Sequence, residues 1–476
     1  MRHKLLLIFV SFFSSSIIAH AKFTNQTSEL GLKLNNTESA FIDFDNDGWV
    51  DLYNPPFIWR NEEGQKFSKS IKIGGKCIFA DINNDGFPDA LSFSNRKMFK
   101  NEGGKKVTPL PFPKLPIRTS LGACFGNFNG DEFVDIYIGG YEDWKKNLTF
   151  PDAMLINIGG KTFRKTFDDK RYRARGVTGC DFNNDGYTEI YVSNYRLMPN
   201  ILWQSEAGGK LTDITKLKNA VATKKGFRGG HSIGACWADF DNNGNFDIFA
   251  GNFAHRDSRG DQPQSVFLRN KGEKDSYAFD DMGQCGLHYQ ESYASPAAAD
   301  FDNDGDVDLF FTTVYDTASF GKKNEPVLYR NDGNWKFTNV TKETGLNGLR
   351  STYQACWADI NNDGHIDLLA NGKLFVNGKN SNNWLKIKLR GDGKVINTDA
   401  IGAQARIKLG DKTLSRQVEA GTGQGNQNDM TLHFGLGSNT APVELEIFWG
   451  KELIQKLENI KPCQLLNIKF DKDKCK

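Results

Sequence analysis

Neither sign of charge predominates in this sequence, which has 60 Lys and Arg residues against 58 Asp and Glu residues. Without a global basic field, the composition argues against a nucleic-acid-binding protein and against attachment to an anionic membrane. After the N-terminal segment, no uninterrupted apolar run is long enough for a transmembrane helix. The sequence also lacks a nucleophile elbow, a zinc motif and a nucleotide-binding loop, so no familiar catalytic motif indicates an enzyme.

Residues 1–21 have the pattern of a secretory signal peptide. Arg2 and Lys4 precede an apolar stretch from Leu5 to Ile18, and Ala19–Ala21 forms a small-x-small cleavage site. A retained membrane anchor is the alternative, but the apolar stretch is short and a run of three serines interrupts it. We therefore expect cleavage after residue 21 and a secreted protein, extracellular or periplasmic, with no membrane span in the mature chain.

Seven nine-residue segments, which we call acidic loops 1 to 7, place oxygen-bearing side chains in one register. They begin at residues 43, 81, 127, 181, 239, 300 and 359. Positions 1, 3, 5 and 9 hold Asp, Asn or Glu in every copy, and position 6 is Gly in all except loop 3. Position 7 shares no side-chain chemistry among the copies, which indicates use of its backbone carbonyl. Such a set of oxygens suits Ca²⁺, and the glycine permits the sharp turn around the ion.

The four oxygen-bearing positions are the predicted ligands of several structural Ca²⁺ ions. The predicted metal ligands are Asp43, Asp45, Asp47, Asp51, Asp81, Asn83, Asp85, Asp89, Asn127, Asn129, Asp131, Asp135, Asp181, Asn183, Asp185, Glu189, Asp239, Asp241, Asn243, Asp247, Asp300, Asp302, Asp304, Asp308, Asp359, Asn361, Asp363 and Asp367. Loops 1 and 6 have four acidic ligands each, whereas loop 3 has two and should bind most weakly or stay vacant. An EF-hand would need Glu at position 12 and flanking helices, so it is excluded. Asx-rich turns without metal remain the alternative.

The segments around the acidic loops predict an all-β fold. Each interval between loops is long enough for four short strands, which favours a seven-bladed β-propeller over a β-solenoid. The stretch 23–32, FTNQTSELGL, nearly repeats 337–346, so we expect residues 23–27 to supply the fourth strand of the last blade. Polar and apolar residues alternate in the C-terminal part, which predicts a small β-sandwich. The expected domains are a propeller over 22–382, a sandwich over 383–470 and a tail over 471–476.

The acidic loops with their flanking strands resemble FG-GAP/VCBS-type repeats, whose propellers include the head of integrin α-chains. The C-terminal part resembles the ASPIC/UnbV domain through Ile401–Ala403, Gly421–Gly425 and His433–Gly437. Together these parts resemble the cartilage acidic protein-like family over nearly the whole mature chain. The resemblance implies a Ca²⁺-loaded propeller, but it says little about activity because members of the family mostly lack a defined one.

The longest inserted loops are predicted on the face opposite the acidic loops, where binding surfaces of repeat proteins often lie. Arg can bind anionic or sugar-like ligands there through paired donors. The alternative is that these side chains brace neighbouring loops. The candidate ligand-binding residues are Arg173, Arg175, Arg228, His231, His255, Arg256, His288 and Arg350.

Two functions follow from this arrangement. The favoured one is a secreted, calcium-binding module for adhesion or for binding an extracellular glycan or protein, without catalytic residues. The alternative is a lyase-like enzyme acting on polysaccharide, in which His231, His255, Arg228, Tyr195 and Tyr289 supply base, acid and carboxylate clamp. Convergence of these residues in one deep pocket would favour the enzyme, whereas dispersed placement would favour the binding module.

Five of the eight cysteines support a structural prediction. Cys124, Cys236 and Cys356 occupy one position of the repeat, where other copies have Ala, so we expect them to be small residues of the core. Cys463 and Cys475 are the better candidates for a disulfide in an oxidising compartment.

Overall fold

The computed structural model describes residues 21–257 and 260–475, and nearly all of its regular secondary structure is β-strand. The predicted signal peptide therefore lies, except for its last residue, outside the described residues. Within the described part, no helix has the length and apolar character needed to cross a membrane. The four helical segments are single 3₁₀ turns at Trp144–Lys146, Glu273–Asp275, Ser319–Gly321 and Lys472–Lys474.

The first part of the described chain contains seven four-stranded antiparallel sheets, which we number in chain order. Sheet 1 comprises Ala40–Ile42, Asp51–Asn54, Phe57–Glu62 and Lys66–Lys72; sheet 2, Cys77–Ala80, Asp89–Ser92, Lys97–Asn101 and Val107–Leu110; sheet 3, Ala123–Gly126, Asp135–Ile138, Asp152–Ile158 and Thr162–Asp169; sheet 4, Ala174–Cys180, Glu189–Asn194, Ile201–Glu206 and Lys210–Asp213; sheet 5, His231–Ala238, Asp247–Phe253, Val266–Asn270 and Phe279–Gly283; sheet 6, Tyr293–Ala299, Asp308–Thr313, Val327–Asn331 and Phe337–Asn339; sheet 7, Ala355–Ala358, Asp367–Ala370, Lys373–Asn377 and Phe23–Asn25. Each acidic loop joins the first two strands of its sheet. Two short hairpins, Glu142–Asp143 with Leu148–Thr149 and Arg256–Asp257 with Gly260–Asp261, lie outside the sheets.

The seven sheets follow one another in a cycle. The first strand of each sheet contacts the first strand of the next, and that of sheet 7 contacts that of sheet 1. Across the same junction, Asn362 Nδ2 donates a hydrogen bond to the carbonyl of Gly48 (3.2 Å). Phe23–Asn25 pairs with Lys373–Asn377, which confirms the prediction that the N-terminal strand completes the last sheet. The all-β prediction is likewise confirmed, and the cyclic order agrees with a propeller.

A buried asparagine at the end of the third strand ties most sheets to their predecessor. In sheet 6, Asn331 Nδ2 donates to the carbonyls of Phe240 in acidic loop 5 (2.9 Å) and Val307 in its own loop (3.1 Å). The same paired donation is made by Asn61, Asn101, Asn157, Asn270 and Asn377. Sheet 4 has Ser205 at this place, and its hydroxyl donates to Thr188 of its own loop (2.6 Å).

The C-terminal part forms two further sheets around a shared core that includes Ile387, Ile407, Phe434 and Leu445. One sheet has three strands, with Asn383–Arg390 between Leu432–Gly437 and, in parallel, Gln464–Lys469. The other has the order Lys412–Gln417, Gln404–Leu409, Val443–Phe448 and Ile454–Ile460. Two sheets packed face to face agree with the predicted β-sandwich.

Residues 420–427, which we call the axial segment, extend from this sandwich into the centre of the ring. All eight residues are buried. Gly423 N donates to Ala235 of sheet 5 (3.1 Å), and Gln427 Oε1 accepts a hydrogen bond from Phe79 N of sheet 2 (2.8 Å). Gly423 has φ +57, and a Cβ there would lie 2.3 Å from the Ser295 hydroxyl, so the close approach requires glycine. The axial segment thus fills the middle of the ring, where backbone and side-chain hydrogen bonds join it to the first strands of the sheets.

The cysteines follow one prediction and depart from the other. Cys124, Cys236 and Cys356 are buried, which confirms their place in the core. Cys463 and Cys475 are both free thiols, whose hydrogen bonds go to Asn383 Oδ1 and to the carbonyl of Asp471, so the suggested disulfide is not formed.

The tie between sheets predicts a specific loss of stability. Asn331→Ala should lower the free energy of unfolding by about 2 kcal/mol, because two buried carbonyls lose their donor. Chemical denaturation of the full chain, followed by tryptophan fluorescence, measures this change. The exposed Asn347, changed to Ala, is the matched control and should alter stability by less than about 0.5 kcal/mol. Equal stability of the two variants would contradict a role for the tie.

Candidate metal centres and the opposite face

Backbone conformation shapes each acidic loop around its own carboxylates. In loop 1, Asn46 and Gly48 have left-handed φ values of 58° and 91°, and the same pair of positions is left-handed in all loops except loop 3. This turn lets the N–H of Gly48 point back to Asp43 Oδ2 (3.3 Å) and the N–H of Trp49 to Asp47 Oδ1 (2.8 Å). The chain therefore wraps the side chains of positions 1 and 5 into one small space.

The carboxylate at position 9 has a structural role that the sequence analysis missed. In loop 6, Asp308 Oδ1 accepts a hydrogen bond from Asn331 N (2.8 Å), and Oδ2 accepts one from Phe301 N (3.0 Å). The same two bonds recur at position 9 of every loop except loop 4. In loop 4 the residue is Glu189, and both of its buried carboxylate oxygens lack a hydrogen-bond partner.

Acidic oxygens come together in four of the loops. Within each of these clusters, one oxygen from every member lies within 4.8 Å of the others. The clusters are Asp43, Asp45 and Asp47 in loop 1; Asp181, Asp185 and Glu189 in loop 4; Asp239, Asp241 and Asp247 in loop 5; and Asp300, Asp302 and Asp304 in loop 6. Within the residues that the structure describes, loops 2, 3 and 7 do not form such a cluster of three acidic groups.

The same four loops contain buried carboxylate oxygens without a hydrogen-bond partner. These atoms are Asp43 Oδ1, Asp45 Oδ1, Glu189 Oε1 and Oε2, Asp241 Oδ1 and Asp300 Oδ1. An unpaired buried oxygen costs free energy, so its repeated occurrence at one place in the fold calls for a partner. The donor set is made of hard oxygens, which fits Ca²⁺.

Burial also makes these carboxylates hard to ionise without a cation. Burial, followed by the neighbouring carboxylates Asp185 and Asp241, raises the pKa of Asp181 to about 7 and that of Asp239 to about 8. A divalent cation within the loop would offset both effects, because it stabilises the charged form.

In the other three loops, N–H groups of the protein satisfy the oxygens. The ammonium of Lys386 lies 2.7 Å from Asp359 Oδ2 in loop 7 and is almost fully buried. Asn83 Nδ2 donates to Asp89 Oδ2 in loop 2 (3.0 Å), and Asn129 Nδ2 donates to Asp131 Oδ2 in loop 3 (2.6 Å). These contacts leave less need for a metal ion there.

The C-terminal sandwich covers the face that carries the acidic loops. Its strand Asn383–Arg390 directs Lys386 to Asp359 and Lys388 to Asp43 (2.6 Å). Further contacts are Gly435 N to Asp300 Oδ2, Ser415 N to Asp239 Oδ2, Asp181 N to Gln417 Oε1 and Asp81 N to Asp399 Oδ2. The sequence signal was the alternation of Lys386, Lys388 and Arg390 on one side of a strand, since such a row suits an acidic surface.

On the opposite face, part of the predicted ligand site comes together. The guanidinium carbon of Arg175 lies over the rings of Tyr141, Tyr195 and Tyr353, between 5.0 and 5.5 Å from their centroids. His231 lies beside Tyr195, with ring centroids 4.8 Å apart, and 5.8 Å from the ring of His255. His255 Nδ1 is 2.6 Å from Glu291 Oε1.

The remaining candidates of that face are dispersed and mostly brace loops. Arg173 pairs with Glu142 (2.9 Å), Arg256 with Asp261 (3.1 Å) and Arg350 with Asp316 (2.8 Å). His288 Nδ1 is bonded to the Tyr329 hydroxyl (2.7 Å), and burial lowers its pKa. Arg228 is exposed. The predicted set therefore splits into one compact group and several local ion pairs.

Comparison with known families agrees with this architecture. Residues 393–474 match the family model described as ASPIC and UnbV, and residues 181–250 and 300–370 match that of the FG-GAP-like repeat. The chain thus combines FG-GAP-like repeats with an ASPIC/UnbV domain, as its sequence motifs predicted.

Individual relatives are more distant. The chain is 24% identical over 321 residues to cartilage acidic protein 1 of Mus musculus, covering 63% of this chain and 46% of the relative. It is 23% identical over 318 residues to the Homo sapiens protein, covering 63% and 44%. The chain therefore spans less than half the length of these relatives. A solved structure of BBS1N in complex with ARL6DN aligns with a TM-score of 0.44 and 9% identity over 76% of this chain and 96% of that chain, which is too distant to bear on function.

One half-buried acid lies between the ring and the C-terminal sandwich. Glu419, which directly precedes the axial segment, accepts a hydrogen bond from Asn428 Nδ2 (3.3 Å). Burial raises the pKa of Glu419 to about 8, and the bond from Asn428 offsets only part of this rise. The folded protein therefore favours the protonated acid.

This acid predicts a pH-dependent loss of stability. Its contribution is fully present below the unfolded pKa, near 4.3, and is lost as pH rises through about 8, because ionisation then opposes folding. Glu419→Gln cannot ionise, so at pH 9 it should be more stable than the wild type by about 2 kcal/mol. Denaturation at pH 5 and pH 9 with Ca²⁺ held constant measures the difference. An advantage of the variant that is equally large at both pH values would contradict this assignment.

Proposed function

We propose that the chain is an extracellular binding module whose ring is stiffened by Ca²⁺ in acidic loops 1, 4, 5 and 6. The observation that carries this proposal is the set of buried, unpaired carboxylate oxygens, which occur in these four loops and share a place in the fold. Secretion rests on the signal-peptide pattern of residues 1–21 and on the similarity to cartilage acidic protein 1.

The residues at positions 1, 3 and 5 would hold the ion, and Glu189 would add its free carboxylate in loop 4. At position 9 of the other loops, the carboxylate would serve the metal in addition to its two backbone donors. Binding of the ion adds to the free energy of folding, because the unfolded chain cannot hold the ligands together. Mg²⁺ should be a poor substitute, since it requires a smaller and more regular octahedral shell.

A stoichiometry of four, rather than seven, follows from the contents of the remaining loops. Among the described residues, loops 2, 3 and 7 form no cluster of three acidic groups and contain no buried carboxylate oxygen without a hydrogen-bond partner. We therefore infer that these loops fold without metal. The vacancy that the sequence predicts for loop 3 would then apply to loops 2 and 7 as well.

The ligand of the module would bind on the face opposite the sandwich, where the loops are free. That face carries Trp144, 69% exposed, with the guanidinium of Arg196 stacked 4.0 Å from its ring. Phe320, 81% exposed, and Tyr315, 55% exposed, lie between the second and third strands of sheet 6. Exposed aromatic and Arg side chains are the usual anchors of protein and glycan recognition.

Metal content and a matched pair of variants test the proposal. Elemental analysis of the Ca²⁺-loaded protein should give about four ions per chain, and chelation should lower the melting temperature, with Ca²⁺ restoring it. Asp304→Ala in loop 6 should cost one ion and more stability than Asp131→Ala in loop 3. Both carboxylates accept one bond from the backbone two residues on (2.8 Å each), and Asp131 accepts a further bond from Asn129 Nδ2 (2.6 Å). The loss of hydrogen bonds alone would therefore destabilise the Asp131 variant more, and the opposite order indicates the cation. An unchanged melting temperature after chelation would leave the metal-free turns as the explanation.

A polysaccharide-acting enzyme is the second candidate, and one observation favours it. The pair of His255 and Glu291, next to His231 and Tyr195, provides a carboxylate-oriented imidazole close to further acid–base groups. Incubation with acidic polysaccharides should then release unsaturated products, and His255→Gln should abolish them. Absence of any product with the Ca²⁺-loaded chain would favour the binding module.

A further inference from the structure

A cleft lies between the ring and the sandwich and borders the acidic loops at Asp300 and Asp359. Its volume is about 130 Å³, and sheets 5, 6 and 7 form one wall, while the strands and connections around the axial segment form the other. A single buried water takes up about 10–15 Å³ of such a cavity volume, so the cleft has room for roughly ten non-hydrogen atoms. That size fits a monosaccharide or a similar small molecule.

The polar groups of the cleft lack partners in the protein. Trp237 is 7% exposed, and its buried indole Nε1 has no hydrogen-bond acceptor. Arg416 Nη2 has no acceptor either, since the nearest carboxylate oxygen, Asp300 Oδ2, is 3.9 Å away. His433 Nδ1 is buried without a partner. Three unpaired groups in one cavity indicate a missing polar occupant.

The hydrogen-bonding roles of these groups are fixed. His433 Nε2 lies 3.1 Å from the carbonyl of Gly364, so this nitrogen carries the proton and Nδ1 is an acceptor. Trp237 Nε1 and Arg416 Nη2 are donors. The cleft therefore needs an occupant that accepts two hydrogen bonds and donates at least one, which a pair of hydroxyl groups does.

The charges of the cleft argue against an ionic occupant. The ammonium of Lys386 is already paired with Asp359, and Asp300, 3.9 Å from Arg416 Nη2, offsets the charge of that guanidinium without accepting a hydrogen bond from it. Glu419 and Asp429 add no positive charge that would hold an anion. A cation would leave both free donors unpaired. Apolar surface from Trp237, Phe246, Trp357 and Leu432 lines the rest of the cleft and suits the C–H face of a sugar ring.

We propose that this cleft between sheets 5 to 7 and the C-terminal sandwich binds a neutral, polyhydroxylated molecule the size of a monosaccharide. The site is separate from the exposed face assigned above to the module's ligand. It uses the interface itself as the binding surface, with Trp237 and Arg416 as donors and His433 as acceptor.

Titration of the full Ca²⁺-loaded chain with glucose, galactose, mannose and sorbitol tests this site, by calorimetry or ligand-observed NMR. We expect at least one of these probes to bind with a Kd of about 1 mM. Trp237→Phe keeps an aromatic ring but removes the indole N–H donor, and it should weaken binding about tenfold. Ala298→Leu fills the cleft from sheet 6 and should abolish binding. Asn347→Ala, at an exposed position outside the lining of the cleft, should leave the affinity unchanged.

Glucuronate and glucosamine serve as charged counterparts of the neutral probes. Tighter binding of either than of the neutral sugars would overturn the assignment of a neutral ligand. The proposal also fails if none of the neutral probes binds, or if Trp237→Phe and Ala298→Leu leave the affinity unchanged. These outcomes are distinct from failure of the metal proposal, because the ion content of each variant is measured on the same samples.

Discussion

The ring depends on one carboxylate per sheet, placed where the acidic loop returns to the second strand. In six sheets this side chain accepts backbone hydrogen bonds from the start of its own loop and from the end of the third strand. The asparagine at the end of that strand then donates to the preceding loop. A chain of short, directed bonds therefore runs through each sheet and into the next one. The cations proposed for the loops would act on this network, since their ligands lie within the same turns.

Sheet 4 departs from the network in a coordinated way. Its carboxylate at position 9 is the longer Glu189, and Ser205 stands in place of the asparagine at the end of the third strand. Both members of the network are therefore replaced in this sheet. The oxygens of Glu189 lie with those of Asp181 and Asp185 in a cluster of three acids. These two differences thus remove the tie to the preceding sheet at the same place where the acidic cluster lies.

The sequence predicted those features that repeat. The register of the acidic loops, the four-stranded units and the closure by Phe23–Asn25 are all encoded in patterns of short range or in a direct repeat, and they agree with the structure. Of the ligand face, the sequence could group Arg175, His231 and His255 but could not separate them from Arg350 or His288. Those residues lie on similar loops, and their ion pairs and hydrogen bonds depend on packing between insertions.

The position of the C-terminal sandwich could not be predicted for a different reason. A row of basic residues such as Lys386 and Lys388 indicates an acidic partner but not which one, because surface charges of opposite sign are abundant in this chain. The axial segment was equally hidden. Its glycines and amides resemble an ordinary surface loop, and only the closed ring around them explains why Gly423 and Gln427 are buried.

The axial segment has a consequence for how the molecule is assembled. The ring closes only when Phe23–Asn25 pairs with Lys373–Asn377, which is the last strand of the ring to be synthesised. The axial segment, which fills the centre, is synthesised later still. The centre of the ring is therefore open until the axial segment is synthesised, and a ring that closes earlier has to open again before the C-terminal sandwich can dock. Chains truncated before residue 420 would contain all seven sheets but no axial segment. The polar centre of the ring would remain unfilled, so the truncated protein would be prone to unfolding.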